Sequence, residues 1–187
     1  MFRDLLVGEF APYGSLTVEQ IDALEAHYNL LTQWNARLNL TRIESVENAV
    51  RLHYCESLFV GTKLPAGPLR VVDVGSGAGF PGIPIAIIRP ECAITLVESH
   101  QRKGVFLREA SRNLENVKVV TDRAETLKVV YDWLVSRAVS PKDLLKLKLA
   151  NNLALLVGSE EIPGGDRREP IPWGTGRYLV FHVKHPC

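Results

Sequence analysis

The 187-residue sequence predicts an α/β fold: a mostly parallel, doubly wound sheet behind an N-terminal helical extension. Three observations carry this expectation. From Leu69 onward, short apolar runs alternate with amphipathic or loop segments, the order expected when helices cross between parallel strands. The first of those runs leads into VVDVGSGAGFPGIP, residues 71–84, where glycine and proline crowd the end of a strand. Before Leu69 the apolar residues recur at helical spacing instead.

In chain order, Thr17-Val18-Glu19-Gln20 opens the first predicted helix as a capping box, with Thr at the N-cap and Gln three residues on. Ile21, Leu24, Tyr28, Leu31, Trp34 and Leu38 hold the period to about Asn39. A second helix is expected over 46–59. The stretch GTKLPAGP, residues 61–68, breaks the pattern and marks a join. It divides the chain into a helical extension over 1–64 and an α/β domain over 65–187, together one globular unit. In the second part, 69–74, 93–98, 117–121 and 131–136 read as strands, with an amphipathic stretch over 101–114. Ser140-Pro141 starts a further helix, with proline just inside its first turn. Residues 153–157 and 178–183 are two more apolar runs, and 158–176 reads as a loop.

The length suffices for one sizeable core. Residues 1–70 carry six Lys/Arg against eight Asp/Glu, and residues 71–187 carry sixteen against thirteen, so the balance moves from −2 to +3. That drift hints at a phosphate-facing surface on the later part, although an ordinary solvated face gives the same drift. Cys55, Cys92 and Cys187 form no CxxC or Cys/His cluster, which argues against a disulfide framework or a metal site and for a reducing compartment. No apolar run reaches membrane-span length and no secretory leader is evident, so a cytoplasmic protein is expected.

In open α/β sheets, ligands sit beyond the carboxyl ends of the strands, so the glycines after the first strand are the place to look. The spacing Gly75-Ser-Gly77-Ala-Gly79-Phe80 is not the dinucleotide G-x-G-x-x-G, and no Gly-Lys-Ser/Thr closes it as a phosphate loop. It fits acid-x-Gly-x-Gly-x-Gly, from Asp73 to Gly79, and resembles the motif of Rossmann-like S-adenosylmethionine methyltransferases. Glu98 ends the next strand, where a carboxylate can accept hydrogen bonds from both ribose hydroxyls. Asp122-Arg123-Ala124-Glu125 follows the third strand at the level expected for adenine. Alone, Glu98 is also what a solvated strand end looks like, and such an acidic turn is more often just a helix start.

With those residues in place, the chain resembles the RsmG (GidB) family, bacterial methyltransferases that modify N7 of a guanine in 16S ribosomal RNA. The resemblance runs through LLTQWNARLNLTRI, RLHYCES, the glycine stretch, LVESHQRKGVFLREA, DRAETL and VSRAVS, with GRYLVFHVKHP loosely at the end. It implies a Rossmann-like S-adenosylmethionine-dependent methyltransferase fold, with an antiparallel C-terminal strand after the parallel ones. It also implies cofactor contacts at Gly75, Phe80, Ala124, Glu125 and Arg137, beside Asp73, Gly77, Gly79 and Glu98 from the motif. His53, Arg102, Lys103 and Arg177 match its RNA-facing positions, and Glu56 stands where the family usually has Asp. Two departures are plain: Val157-Gly158 replaces a Lys-Gly, and the stretch between the last strands is short.

The resemblance implies a small ribosomal subunit as partner and S-adenosyl-L-methionine as methyl donor; no metal and a monomeric chain are expected. Guanine N7 carries no proton at neutral pH, so no general base is needed. The catalytic task is alignment and water exclusion. Arg137 is accordingly assigned to positioning, and His27, His53, His100, His182 and His185 form no dyad. Arg102, Lys103, Arg108 and Arg112 share one helical segment that could follow phosphates, although a charged solvent face is the commoner use of such a helix. Two other readings stay open: a methyltransferase for a different acceptor, and a non-catalytic cofactor- or RNA-binding module.

Overall fold

A computed structural model describes residues 1–42, 45–158 and 166–183; His185 and Cys187 lie outside the described residues. Helix α1 (Phe2–Phe10) comes first, and the sequence reading had not anticipated it. Its signal is the spacing of Phe2, Leu6 and Phe10, all buried. Helix α2 (Val18–Leu38) starts at the Thr17/Gln20 capping box and stops at Asn39, whose φ of 48° is left-handed. A second helical run begins with α3 (Val46–Ala49), capped by Ser45, continues through a π-helical stretch (Val50–Cys55) and ends in α4 (Glu56–Lys63).

Gly61 therefore lies inside a helix and not in the expected break. A Cβ there would approach Ile88 Cδ1 to 2.7 Å, so glycine lets α4 lie close against the next helix. After β1 (Arg70–Val74), α5 (Gly82–Ile88), β2 (Ala93–Val97), α6 (Gln101–Ala110) and β3 (Val117–Val120) follow in the anticipated order. Helix α6 is shorter than the amphipathic pattern suggested, which leaves Arg112 beyond its end. A 3-10 turn (Ala124–Thr126) leads to β4 (Tyr131–Arg137), then α7 (Pro141–Leu147) and β5 (Ala150–Gly158). The expected loop 158–176 holds a short strand, β6 (Arg167–Pro170), before β7 (Arg177–Val183).

The seven strands are ordered β3-β2-β1-β4-β5-β7-β6. Pairing is parallel from β3 to β5, and β7 runs antiparallel to both β5 and β6. The order reverses between β1 and β4, where a crevice opens at the carboxyl ends of the strands. β6 forms without an apolar pattern because β7 supplies its ladder, while Arg168 stacks 3.4 Å above the Tyr178 ring. One apolar cluster joins Phe2, Leu6, Leu24 and Leu31 of the N-terminal helices to Val71, Leu96, Val135 and Phe181 of the sheet. A smaller cluster on the other face gathers Val72, Val74, Leu134, Leu153 and Leu155 under Leu144 of α7.

Candidate functional site

β1 runs straight into a turn that only glycine suits. Gly75 has φ +74° and Gly77 φ +57°, both in the left-handed region. The Gly75 and Ser76 amides donate to Val97 O at 2.9 and 3.1 Å, pinning the turn to the end of β2. The Gly79 and Phe80 amides close back onto Ser76 O. A Cβ on Gly75 would stand 2.6 Å from Val139 Cγ2, whereas one on Gly77 would meet nothing nearer than Gly75 O at 3.8 Å. Gly79 serves packing instead: a Cβ there would lie 2.5 Å from Ile83 Cδ1.

Asp73 is fully buried beneath this turn. Its Oδ2 accepts from the Gly82 amide at 2.9 Å, at the start of α5, while Oδ1 is buried without a hydrogen-bond partner. Burial pushes its pKa up to about 7, against the pull of the Gly82 amide. Glu98, at the end of β2, accepts from Gly77 N through Oε2 at 3.0 Å and from His100 N through Oε1 at 2.9 Å. Its two oxygens retain acceptor capacity, since a carboxylate offers about four lone-pair sites.

Glu98 walls a pocket of about 380 Å³ at the crevice, together with Gly75, Ala124 and Glu125. Four residues proposed from the sequence thus meet in one cavity. Asp122 and Arg123 line it too. The sequence reading missed its other wall, formed by Val139 and by Asp143, Leu144 and Leu147 of α7. The signal was the helix start at Ser140-Pro141; only the sheet order reveals that this helix faces the glycine turn. Asp73, Gly77, Gly79, Phe80 and Arg137 do not line the pocket.

Arg137 instead centres a part-buried polar cluster on the side of the sheet covered by the N-terminal helices. Its Nη1 donates to Leu52 O at 2.8 Å and lies 2.6 Å from His53 Nδ1, and its guanidinium stands 5.2 Å from the Phe80 ring centroid. The next residue, Ala138, takes φ +60°, a left-handed conformation uncommon for a side-chain-bearing residue. His53 stacks on Phe80 with centroids 5.2 Å apart. Burial and the adjoining Arg137 push the His53 pKa down to about 3, so the ring is neutral and accepts from the guanidinium.

Glu56 is fully buried and grips Arg177, with Nε 2.5 Å from Oε1 and Nη2 2.6 Å from Oε2. Burial raises the Glu56 pKa to about 7, opposed by Arg177. Arg177 and His53, proposed as RNA-facing, are therefore both engaged in this cluster. Arg102 and Lys103 sit apart, in the first turn of α6 just after Glu98. Arg108 bonds Thr121 and Arg112 pairs with Glu109, so these two are already engaged. Among the described residues no group of three His, Cys, Asp or Glu could hold a metal ion, and no helix is long and apolar enough to cross a membrane.

A parallel sheet reversed between β1 and β4, closed by an antiparallel β7, with a glycine turn after β1 and an acid after β2, is a Rossmann-like S-adenosylmethionine-dependent methyltransferase fold. Solved structures agree. A SAM-dependent methyltransferase from Aquifex aeolicus superposes with TM-score 0.55 at 16% identity, covering 72% of this chain and 91% of that one. A human methyltransferase 10 domain containing protein gives TM-score 0.56 at 14% identity over 91% of this chain and all of that one. The family model for rRNA small subunit methyltransferase G, GidB, matches residues 20–157, and the chain belongs to that family.

Among relatives, the ribosomal RNA small subunit methyltransferase G of Chromobacterium violaceum is 43% identical over 129 residues, 67% of this chain and 61% of its own length. That of Dichelobacter nodosus is 46% identical over 126 residues, 65% of this chain and 59% of its own. The chain thus spans about three fifths of the length of the curated relatives it matches.

Proposed function

We propose that the protein binds S-adenosyl-L-methionine at the β1/β4 crevice and transfers its methyl group to N7 of a guanine in 16S ribosomal RNA of the small subunit, in the cytoplasm. The observation that carries the reading is the pairing of Gly77 with Glu98. A left-handed glycine, with room where a side chain would stand, is tied to a pocket-lining carboxylate that keeps acceptor sites for vicinal hydroxyls. A cradle that a Cβ would fill fits a ligand lying against bare backbone, and the pocket volume is within the range of small-molecule sites.

When bound, the sulfonium cofactor supplies an electrophilic methyl group. The chain's own contribution is placement. Gly75 and Gly77 would admit the ligand, Glu98 would accept from the ribose hydroxyls, and Ala124 and Glu125 with Leu144 and Leu147 would hold the adenine. Because N7 has a lone pair and no proton, no residue need remove one. Arg137, already committed to Leu52 and His53, would act by positioning and do no acid–base work. Arg102 and Lys103, in the first turn of α6, would meet phosphates. A splayed-out or single-stranded guanine suits the site, since N7 in an A-form duplex is buried in a deep, narrow groove.

The test is transfer of tritiated methyl to small subunits that lack the native modification, followed by nucleoside analysis. Label in 7-methylguanosine, with little label on free guanosine or random duplex, is the expected result. Equal methylation of all three overturns the substrate, and cofactor binding without any transfer favours the binding-module reading.

A further inference from the structure

We propose that His27, a core histidine of α2, is a positioning residue for the glycine turn, which it holds through a hydrogen bond to the Ala78 carbonyl. The consequence for ligand binding rests on that turn being the cofactor's seat. His27 is 3% exposed, with Nε2 3.1 Å from Ala78 O and Nδ1 2.7 Å from Tyr54 Oη. A carbonyl only accepts, so Nε2 carries the proton. Burial pushes the ring's pKa down to about 4, so the ring is neutral and Nδ1 is bare. The Tyr54 hydroxyl therefore donates to Nδ1, and a single tautomer satisfies every group in the chain of bonds.

Packing agrees with this role. His27 meets Phe80 edge-on, with centroids 5.3 Å apart and planes at 83°. A Cβ on Gly79 would come within 3.3 Å of Nε2, so the ring lies directly against the turn. Ala78 stands between Gly77, whose amide bonds Glu98, and Gly79, whose amide closes onto Ser76. Fixing its carbonyl fixes the peptide plane between 78 and 79, and with it the two glycines that have the least intrinsic restraint. No residue of α1 to α4 lines the pocket, yet this bond gives the N-terminal helices a hold on it. Tyr54 belongs to the π-helical stretch that also carries His53, so one segment anchors both the glycine turn and Arg137.

The test compares His27→Gln, His27→Leu and Tyr54→Phe in the whole chain. Amide hydrogen exchange at Gly79 and Phe80 is measured without ligand, and S-adenosylhomocysteine affinity by calorimetry. Gln places an amide donor at roughly the reach of Nε2; Leu places none. His27→Leu should speed exchange at Gly79 and Phe80 by about tenfold, with β1 amides less affected, and weaken the ligand at least about fivefold. His27→Gln should restore both to within about twofold of the wild type. If His27→Leu does not fold, Tyr54→Phe decides, and should speed loop exchange about two- to fivefold. Unchanged exchange at Gly79 and Phe80 in the variants, or equal losses in Gln and Leu that track global stability, would reduce His27 to packing and overturn the proposal. Failure of the wild type to bind the ligand would sink the cofactor reading alone, because the exchange comparison is made without ligand.

Discussion

The two sides of the crevice are built on different principles. On the pocket side, Gly75, Gly77 and Glu98 are arranged by backbone: left-handed glycines, amides that donate across to Val97, and a carboxylate held by two further amides. On the side facing the N-terminal helices, Glu56, Arg137, Arg177 and His53 are arranged by charge, in contacts that join residues 84 to 121 positions apart. Backbone geometry is local, so the fold survives when one pocket side chain is changed, although the turn itself is braced by His27 from α2. A buried ion pair exists only while both partners are present, and removing one leaves the other uncompensated. The pocket side should therefore lose ligand on mutation, and the charged side should lose the fold.

The largest effect is expected at Glu56. Glu56→Ala strands Arg177 and leaves Arg137 without its strongest nearby opposite charge; because Arg177 keeps about a third of its side chain in solvent, urea unfolding at pH 7.5 should show a loss of about 2–3 kcal/mol, less than for a fully buried pair. Glu98→Ala removes the acceptor of the Gly77 and His100 amides but breaks no ion pair, and should cost about 1 kcal/mol by the same measurement. Similar losses in both variants would erase the distinction between the two sides.

Next comes Gly77→Val. A branched side chain in a left-handed conformation is strained by about 1–2 kcal/mol, and this one also fills the space beside the turn that bonds Glu98. Calorimetry with S-adenosylhomocysteine should show affinity reduced at least about a hundredfold, with the near-ultraviolet circular dichroism of the sheet unchanged. Retained affinity would mean that the ligand does not pass over Gly77. A smaller effect is expected for Glu98→Gln, which keeps the shape but loses charge-assisted bonds of about 1.5–3 kcal/mol each. Affinity should fall at least about tenfold while the unfolding midpoint hardly moves. An unchanged dissociation constant would assign Glu98 to bracing the turn and nothing else.

The same contrast explains what the sequence made legible. Asp73 to Gly79 and Glu98 are readable because their geometry is set by neighbours in the chain and by the end of the adjacent strand. Gly79 shows the limit of that reading: it belongs to the motif, yet the space it leaves is taken by Ile83. The charged side was hidden, because nothing local tells that His53 meets Arg137 or that Glu56 meets Arg177. The π-helical stretch that presents His53, with Glu56 just after it, has no break in apolar pattern to betray it. β6 was missed for a related reason: RREP has no strand pattern of its own and is held by β7 and by Arg168 and Arg167 lying over Tyr178 and Phe181. The α7 wall of the pocket needed the sheet order before its helix could be placed.

Asp73 lies where the two sides meet, under the glycine turn and within reach of the Arg137 charge, and it sharpens the comparison most finely. Burial raises Asp73 and Glu56 to about 7, so between about pH 5 and 6.5 the folded protein holds two carboxyl protons that the unfolded chain has released. Each contributes stability that is present at low pH and is lost as pH rises towards 7. His27 and His53 act in the opposite sense: lowered to about 4 and about 3, they are neutral when folded and charged when unfolded, so their contribution grows as pH rises to 6.5. The four terms offset one another, and wild-type stability should be nearly flat across that window. Asp73→Asn removes one carboxyl while keeping an oxygen for the Gly82 amide. Two histidines then face one carboxyl, and stability should rise with pH by up to about 1.4 kcal/mol per unit between pH 5 and 6.5. Chemical denaturation of both proteins at four pH values measures the slope. Parallel curves would mean that Asp73 is ionised in the folded state and that the Arg137 charge extends its hold beneath the glycine turn.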